Sequence, residues 1–301
     1  VKISRVAIIG LGLIGGSVGL SVREMLPDVA TTGWDADADV RARAAELGLA
    51  GMVCDSVAEA VREADLVILC VPVGAMGYAA EAIAPHIRPG TIVSDVGSSK
   101  RSVGEALAAA LPEAVVIPAH PVAGTENSGP EAGFATLFRH RWCIVTPRDD
   151  TPPDALAALS GFWEGLGATV EIMDPRHHDL VLAVTSHIPH LIAYTIVGTA
   201  SDLEEVTRGE VIKYSAGGFR DFTRIAASNP TMWRDVFLSN RDAVLEVLGR
   251  FTEDLSLLQR AIRNGDGDTL YDLFDRTRTI RRSIIEQGQD DARPDFGRKD
   301  H

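Results

Sequence analysis

The feature that most constrains this chain is a glycine-spaced turn near its start. Gly10-Leu11-Gly12-Leu13-Ile14-Gly15 follows the β-branched run Arg5-Val6-Ala7-Ile8-Ile9 and precedes a helical stretch. A strand, a turn with this spacing and a helix make the opening unit of a dinucleotide-binding sheet. Gly10 permits the tight turn, Gly12 lets the backbone approach a pyrophosphate, and Gly15 allows close packing of helix on strand, while the helix N-terminus stabilises phosphate charge. Asp35 stands 20 residues after Gly15, at the end of the next expected strand. A carboxylate there accepts hydrogen bonds from ribose hydroxyls and repels a 2′-phosphate. The residues after it, Ala36-Asp37-Ala38-Asp39, offer no cation before Arg41, so NAD is favoured over NADP. Val71-Pro72 ends a later strand, where such folds flank the two riboses.

The rest of the first half alternates short β-branched runs with helical stretches, as parallel strands joined by crossover helices require. Strands are expected at Arg5-Ile9, Thr31-Trp34, Leu66-Val71, Thr91-Asp95 and Val115-Ala119, with Trp142-Thr146 and Thr169-Ile172 completing the sheet around a helix from about Pro153 to Leu166. From Pro175 strand-like runs give way to long apolar-periodic segments. The fold class is therefore α/β: an N-terminal Rossmann-like dinucleotide-binding domain (residues 1–173), an all-helical C-terminal domain (174–288) and a polar, mobile tail (289–301). Leu180 to Ala200 reads as a buried helix kinked at Pro189. Val244, Leu248, Phe251, Leu255, Leu258 and Ile262 form one helical stripe, and Leu270, Leu273, Phe274, Thr277, Ile280 and Ile284 a second. These stripes pack either within one subunit or across a dimer.

Charge and cysteine usage narrow the function classes. With 29 Lys+Arg against 42 Asp+Glu the formal charge is -13, which opposes nucleic-acid binding. Three scattered thiols, Cys54, Cys70 and Cys143, make no CxxC and suit a reducing, cytoplasmic setting. The uncharged stretch Val6 to Val22 superficially resembles a signal segment, but it carries five glycines and falls short of the ~20 apolar residues of a membrane span. No other segment is expected to come close, and no membrane role is expected.

Three segments gather polar groups in apolar or glycine-rich surroundings: Asp95-Val96-Gly97-Ser98-Ser99-Lys100, His120-Pro121-Val122-Ala123-Gly124-Thr125-Glu126, and Gly217-Gly218-Phe219-Arg220-Asp221-Phe222-Thr223-Arg224. The first two follow expected parallel strands, at whose carboxyl ends such sheets bind ligands, so Ser98 and His120 should face the nicotinamide. A neutral imidazole there takes the proton from a substrate hydroxyl as hydride leaves its carbon. His187 and His190 share a helical face, yet lack a further ligand set, so no metal is expected.

Taken with Ser-His-Ile-Pro-His (186–190), Gly-Gly-Phe-Arg-Asp-Phe-Thr-Arg-Ile-Ala (217–226) and Met-Trp-Arg-Asp (232–235), these motifs resemble the prephenate/arogenate (cyclohexadienyl) dehydrogenase family over residues 5 to 285. The resemblance implies NAD-dependent oxidative decarboxylation of prephenate to 4-hydroxyphenylpyruvate, of arogenate to tyrosine, or of both, in tyrosine biosynthesis. It implies that His120 deprotonates the ring hydroxyl, that Ser98 hydrogen-bonds that hydroxyl and His120, and that Arg224 binds the ring carboxylate, for which a guanidinium fork is suited. It assigns His190 to the pocket near the substrate side chain and Arg220 to a basic position beside it. Thr125 and Glu126 gate or polarise the pocket, and Trp233 reaches a neighbouring subunit's site. A homodimer through the helical domain is also implied. A β-hydroxyacid dehydrogenase would need a catalytic lysine early in the helical domain, and none lies between Lys100 and Lys213. A non-catalytic NAD sensor would not need His120, Ser98 and Arg224 together.

Overall fold

The computed structural model describes residues 2–125, 127–202 and 217–286. The chain divides into two compact units, Val1–Leu245 and Glu246–His301. In the first, a six-stranded parallel sheet is built from β1 (Arg5–Ile9), β2 (Ala30–Trp34), β3 (Met52–Val53), β4 (Leu66–Leu69), β5 (Ile92–Asp95) and β6 (Val115–Val116), in the order β3-β2-β1-β4-β5-β6. This is the doubly wound dinucleotide-binding order, whose direction reverses between β1 and β4. Successive β1 residues serve opposite faces. Val6 and Ile8 join a core with Val18 and Val22 of α1 (Leu13–Met25) and Phe162 and Trp163 of α6 (Pro153–Gly165). Ala7 and Ile9 join one with Met76, Ala80 and Ile83 of α4 (Met76–Ile83) and Val103 and Leu107 of α5 (Arg101–Ala110). Two covered faces explain why β4 is an uninterrupted apolar run. The crossover helices α2 (Ala38–Leu47) and α3 (Val57–Val61) complete this half.

Several expectations are corrected. Trp142-Thr146 and Thr169-Ile172 do not complete the main sheet: β8 (Trp142–Val145) and β9 (Thr169–Ile172) form a separate three-stranded sheet with β7 (Ala119–Pro121). The run Val115-Ala119 leaves β5 after Ile117, whose N donates to the Val93 carbonyl at 2.9 Å, and the Pro118 carbonyl instead accepts from Thr146 N at 2.9 Å. Asp95 Oδ1 accepts the next amide, from Ala119 at 3.3 Å, and β7 turns to pair antiparallel with β8, His120 opposite Ile144. His120 thus sits within a strand rather than after one. The short edge strand β3 was not foreseen, having only two residues.

Beyond β9 the described residues are helical: α7 (Pro175–Leu182), a π turn over Ala183–His187, α8 (Ile188–Asp202), α9 (Gly217–Thr223), a 3₁₀ turn over Arg224–Ala227, α10 (Pro230–Ser239), α11 (Arg241–Asn264) and α12 (Gly267–Glu286). The irregularity expected at Pro189 takes the form of the π turn just before it, a common way to absorb a missing hydrogen bond. Leu180 to Ala200 is not the buried helix expected, since Val184, Ile196 and Val197 are 54%, 39% and 40% exposed. Pro175–Asp202 is also long and apolar enough to cross a membrane by length and composition, which corrects the expectation that no other segment came close. Its serine, threonine and histidine residues carry no formal charge to interrupt the count, and Pro189 falls in the first turn of α8, where a helix tolerates it. The two stripes occupy α11 and α12 as expected, with Leu255, Ile262, Phe274 and Ile280 exposed. The tail 289–301 lies outside the described residues.

Candidate active site at the crossover of the sheet

The turn after β1 has the stereochemistry its glycines foretold. Gly10 adopts φ +97°, and a Cβ there would lie 2.6 Å from the Cys70 carbonyl oxygen. A Cβ on Gly15 would come within 1.8 Å of the Gly10 carbonyl oxygen, so α1 approaches the turn too closely for any side chain. Around Gly12 nothing lies within 4 Å of such an atom, so no protein neighbour accounts for this glycine, whereas a closely approaching phosphate does. Gly12 also caps α1, with Leu13 and Ile14 as its first residues and no side-chain cap. Asp35 Oδ2 accepts from Leu11 N at 2.8 Å and Oδ1 from Asp37 N at 3.0 Å, which fixes the carboxylate beside the turn. Arg41 Nη1 donates to the Asp35 and Ala36 carbonyls at 2.8 and 3.2 Å. Val71 follows β4 and packs beside Gly10, with Pro72 next to it. These features fit a dinucleotide: Gly12 and the first turn of α1 for the pyrophosphate, Asp35 for a ribose.

Across the crossover lies a buried polar assembly largely invisible to sequence reasoning. Lys100 Nζ pairs with Asp95 Oδ2, both side chains fully buried, and donates to the Ala119 carbonyl at 2.7 Å. Burial drives the Lys100 ammonium below its ordinary range, against the pull of Asp95. Asp95 Oδ2 also accepts from Gly97 N at 2.8 Å. The pair thus ties β5 to β7 and fixes the backbone next to His120. His120 Nδ1 lies 2.9 Å from His178 Nε2, and His178 Nδ1 lies 2.9 Å from Asp179 Oδ1. Asp179 accepts two further hydrogen bonds at the start of α5, from Lys100 N at 2.7 Å and Arg101 N at 3.0 Å. Burial pushes the Asp179 carboxyl up, but the His178 bond and the two amides outweigh it and hold it below the usual carboxylate range. Burial, with repulsion from His178, Lys100 and His187, holds His120 well below the usual histidine range, so its imidazole is neutral at neutral pH.

A second wall comes from the helical segments. His187 Nδ1 lies 3.0 Å from Asn240 Nδ2, which also donates to the Asp179 carbonyl at 2.8 Å. Burial takes His187 down to about 4, against the attraction of Asp179. His190 hydrogen-bonds the Ser186 carbonyl through Nδ1 at 2.8 Å and stacks on Trp233, ring centroids 3.7 Å apart. Burial lowers His190, the Ser186 bond opposes that, and the neighbouring Arg224 guanidinium lowers it further. The structure therefore gathers His120, His187, His190, Trp233 and Arg224 around the unforeseen His178, Asp179 and Asn240.

Other expected site residues stand differently. Ser98 is half-buried between β5 and α5, and the hydrogen bond implied between it and His120 is not formed, His120 Nδ1 being paired with His178 and no bond joining Ser98 to its ring. Trp233 is buried and stacks on His190 of its own chain. Thr125 Oγ1 accepts from Asn127 N at 3.2 Å, in the loop after β7. Arg220 is exposed on α9. Glu126 lies outside the described residues. Among the described residues no cluster of three or more His, Cys, Asp or Glu has the arrangement of a metal site. A signal for His178 was present: Leu182 is four residues on and therefore on the same face of α7, so a buried Leu182 implies a buried His178.

Residues 18–172 match the nucleotide-binding domain of prephenate dehydrogenase, and residues 174–276 match its dimerization domain. The cyclohexadienyl dehydrogenase of Zymomonas mobilis is 46% identical over 280 residues, covering 93% of this chain and 96% of that protein. The prephenate dehydrogenase of Bacillus subtilis is 33% identical over 274 residues, covering 90% and 74%. The crystal structure of prephenate dehydrogenase from Aquifex aeolicus, in complex with hydroxyphenyl propionate and NAD+, superposes with a TM-score of 0.87 at 31% identity, covering 94% of this chain and 99% of that one. With both domains matched in order and the crossover built as described, the chain belongs to the prephenate dehydrogenase family.

Proposed function

We propose that His120 is the general base in the reaction of this family, the oxidative decarboxylation of prephenate to 4-hydroxyphenylpyruvate, of arogenate to tyrosine, or of both, with NAD as oxidant in tyrosine biosynthesis. The observation that carries this reading is a buried, neutral imidazole on β7, at the carboxyl edge of the parallel sheet that also bears the glycine turn. Such a group accepts the ring hydroxyl proton at neutral pH. When bound, NAD takes the hydride from the hydroxyl-bearing ring carbon, and loss of the ring carboxylate as carbon dioxide restores aromaticity. Ser98 orients the ring hydroxyl. Arg224 holds the ring carboxylate by its guanidinium fork, firmly enough to orient it but without favouring the ground state over the transition state. His190, fixed by Ser186 and Trp233, lines the side-chain end of the pocket with Arg220, Thr125 and Glu126.

Gly10, Gly12, Leu13, Ile14 and Gly15 hold the pyrophosphate, Asp35 a ribose, and Val71 and Pro72 the flank of the cofactor. A preference for NAD over NADP follows from the Asp35 charge, and Arg41, committed to backbone carbonyls, does not offset it. The domains divide near residue 173. The exposed stripes on α11 and α12 favour a homodimer through the helical domain, and three free thiols suit the cytoplasm. The test is initial rates of NAD and NADP reduction with prephenate and with arogenate, in the native enzyme and in Asp35→Ser. NAD reduction with at least one acid, and a larger share of NADP use in Asp35→Ser, are expected. Binding of NAD with no turnover of either acid would overturn the reading.

A further inference from the structure

The chain His120–His178–Asp179 ends on a carboxylate that already accepts two backbone amides, and this end fixes the protons along the whole line. An ionised carboxylate has no hydrogen to give, so His178 Nδ1 must donate to Asp179 Oδ1. The neutral His178 then presents a lone pair at Nε2, and His120 Nδ1 must donate to it. The lone pair of His120 is left on Nε2, on the other side of its ring. We propose that His178 and Asp179 are positioning residues that set His120 in the Nδ1–H tautomer and share the positive charge it acquires.

The inference rests on the role of His120 proposed above and extends it. When His120 Nε2 takes the substrate hydroxyl proton, the O–H bond breaks, an Nε2–H bond forms and the ring becomes cationic. Its Nδ1–H bond to His178 strengthens, and the Asp179 anion lies one imidazole away. Asp179 is held ionised by its amide partners at the first turn of α5, a ten-residue helix whose N-terminus favours negative charge. Asn240, bonded to the Asp179 carbonyl and to His187, holds the α7 backbone at Asp179.

Other titratable groups face this line: Lys100 and Asp95 toward His178, and Lys100 and His187 toward the His120 ring, while the His120 backbone meets the neutral Cys143 thiol. None of them changes in the variants below, so a shift in pH profile reports on the relay. His178→Gln keeps an acceptor for His120 and a donor for Asp179 but takes no proton, whereas His178→Phe offers neither. His178→Phe is expected to lower kcat about a hundredfold, with both KM values within about threefold, and His178→Gln to fall between it and native. Asp179→Asn removes the negative charge, so the acidic limb of kcat/KM should move to lower pH. The limb unmoved in Asp179→Asn, or Gln no better than Phe in variants of native stability to urea, would overturn the proposal.

A readout that needs no turnover separates this inference from the proposed function. In protein labelled with ¹⁵N-histidine, without substrate, His120 is expected as Nδ1–H in the native chain and at least partly as Nε2–H in His178→Phe. A native Nε2–H tautomer would refute the relay even if the enzyme is active. A native chain with the expected tautomer but no turnover of either acid would refute the catalytic reading alone.

Discussion

Replacing Lys100 with methionine tests how the buried pair supports the site. The substitution keeps the length of the stem and removes the ammonium, leaving Asp95 fully buried without its cation. Breaking a buried pair from one side costs about 3–5 kcal/mol, because the remaining charge is neither solvated nor neutralised. Asp95 keeps the Gly97 and Ala119 amides, which places the expected loss near the lower end, about 3 kcal/mol at neutral pH. The assay is urea unfolding followed by tryptophan fluorescence, with Trp163 buried in the core as reporter, for native, Lys100→Met, Asp95→Asn and the double variant. The double variant should regain part of the loss. A loss below about 1 kcal/mol in Lys100→Met, with no recovery in the double variant, would show that the pair is not what holds β7 to β5.

Two further outcomes follow from packing and titration. Gly15→Ala places a carbon against the Gly10 carbonyl, which only backbone movement relieves, so a loss of about 1–3 kcal/mol together with weakened NAD binding is expected; unchanged calorimetric affinity and melting would contradict it. His187 has its folded pKa depressed from 6.5 to about 4 by burial, so the stability it contributes is present above the unfolded value and lost as pH falls between them, by about 3 kcal/mol in all. His187→Gln should flatten the fall in urea midpoint across that window; a slope equal to native would exclude His187 as its source.

How much was legible in the sequence depends on how local the signal was. The glycine turn, Asp35 and the positions of β1, β2, β4 and β5 could be read because each rests on a short-range pattern along the chain. The split at Pro118 was not, because an edge strand such as β6 tolerates a proline and the β-branched run Val115-Val116-Ile117 reads on through it. Lys100 and Asp95 lay inside a recognised motif, but five residues of separation says nothing about a salt bridge until β5 and the turn after it are folded. His178 and Asp179 were missed for a similar reason: their partners, His120 and the amides opening α5, are far away in sequence. Hydropathy misled in Leu180 to Ala200, where an apolar segment leaves Val184 and Val197 exposed in the single chain. His190 and Trp233 were named singly, and their stacking appears only when α8 and α10 meet.

The most direct measurement of the central claim is the rate of NAD reduction by His120→Asn against native enzyme, with the acid the native enzyme prefers and with NAD affinity measured alongside. The account predicts a fall in kcat of about 10²–10⁴-fold, the usual contribution of a general base, with NAD affinity unchanged and the acidic limb of the pH profile lost. A variant that keeps kcat within a few-fold of native, with the acidic limb in place, would mean that another group takes the ring hydroxyl proton and would contradict the account.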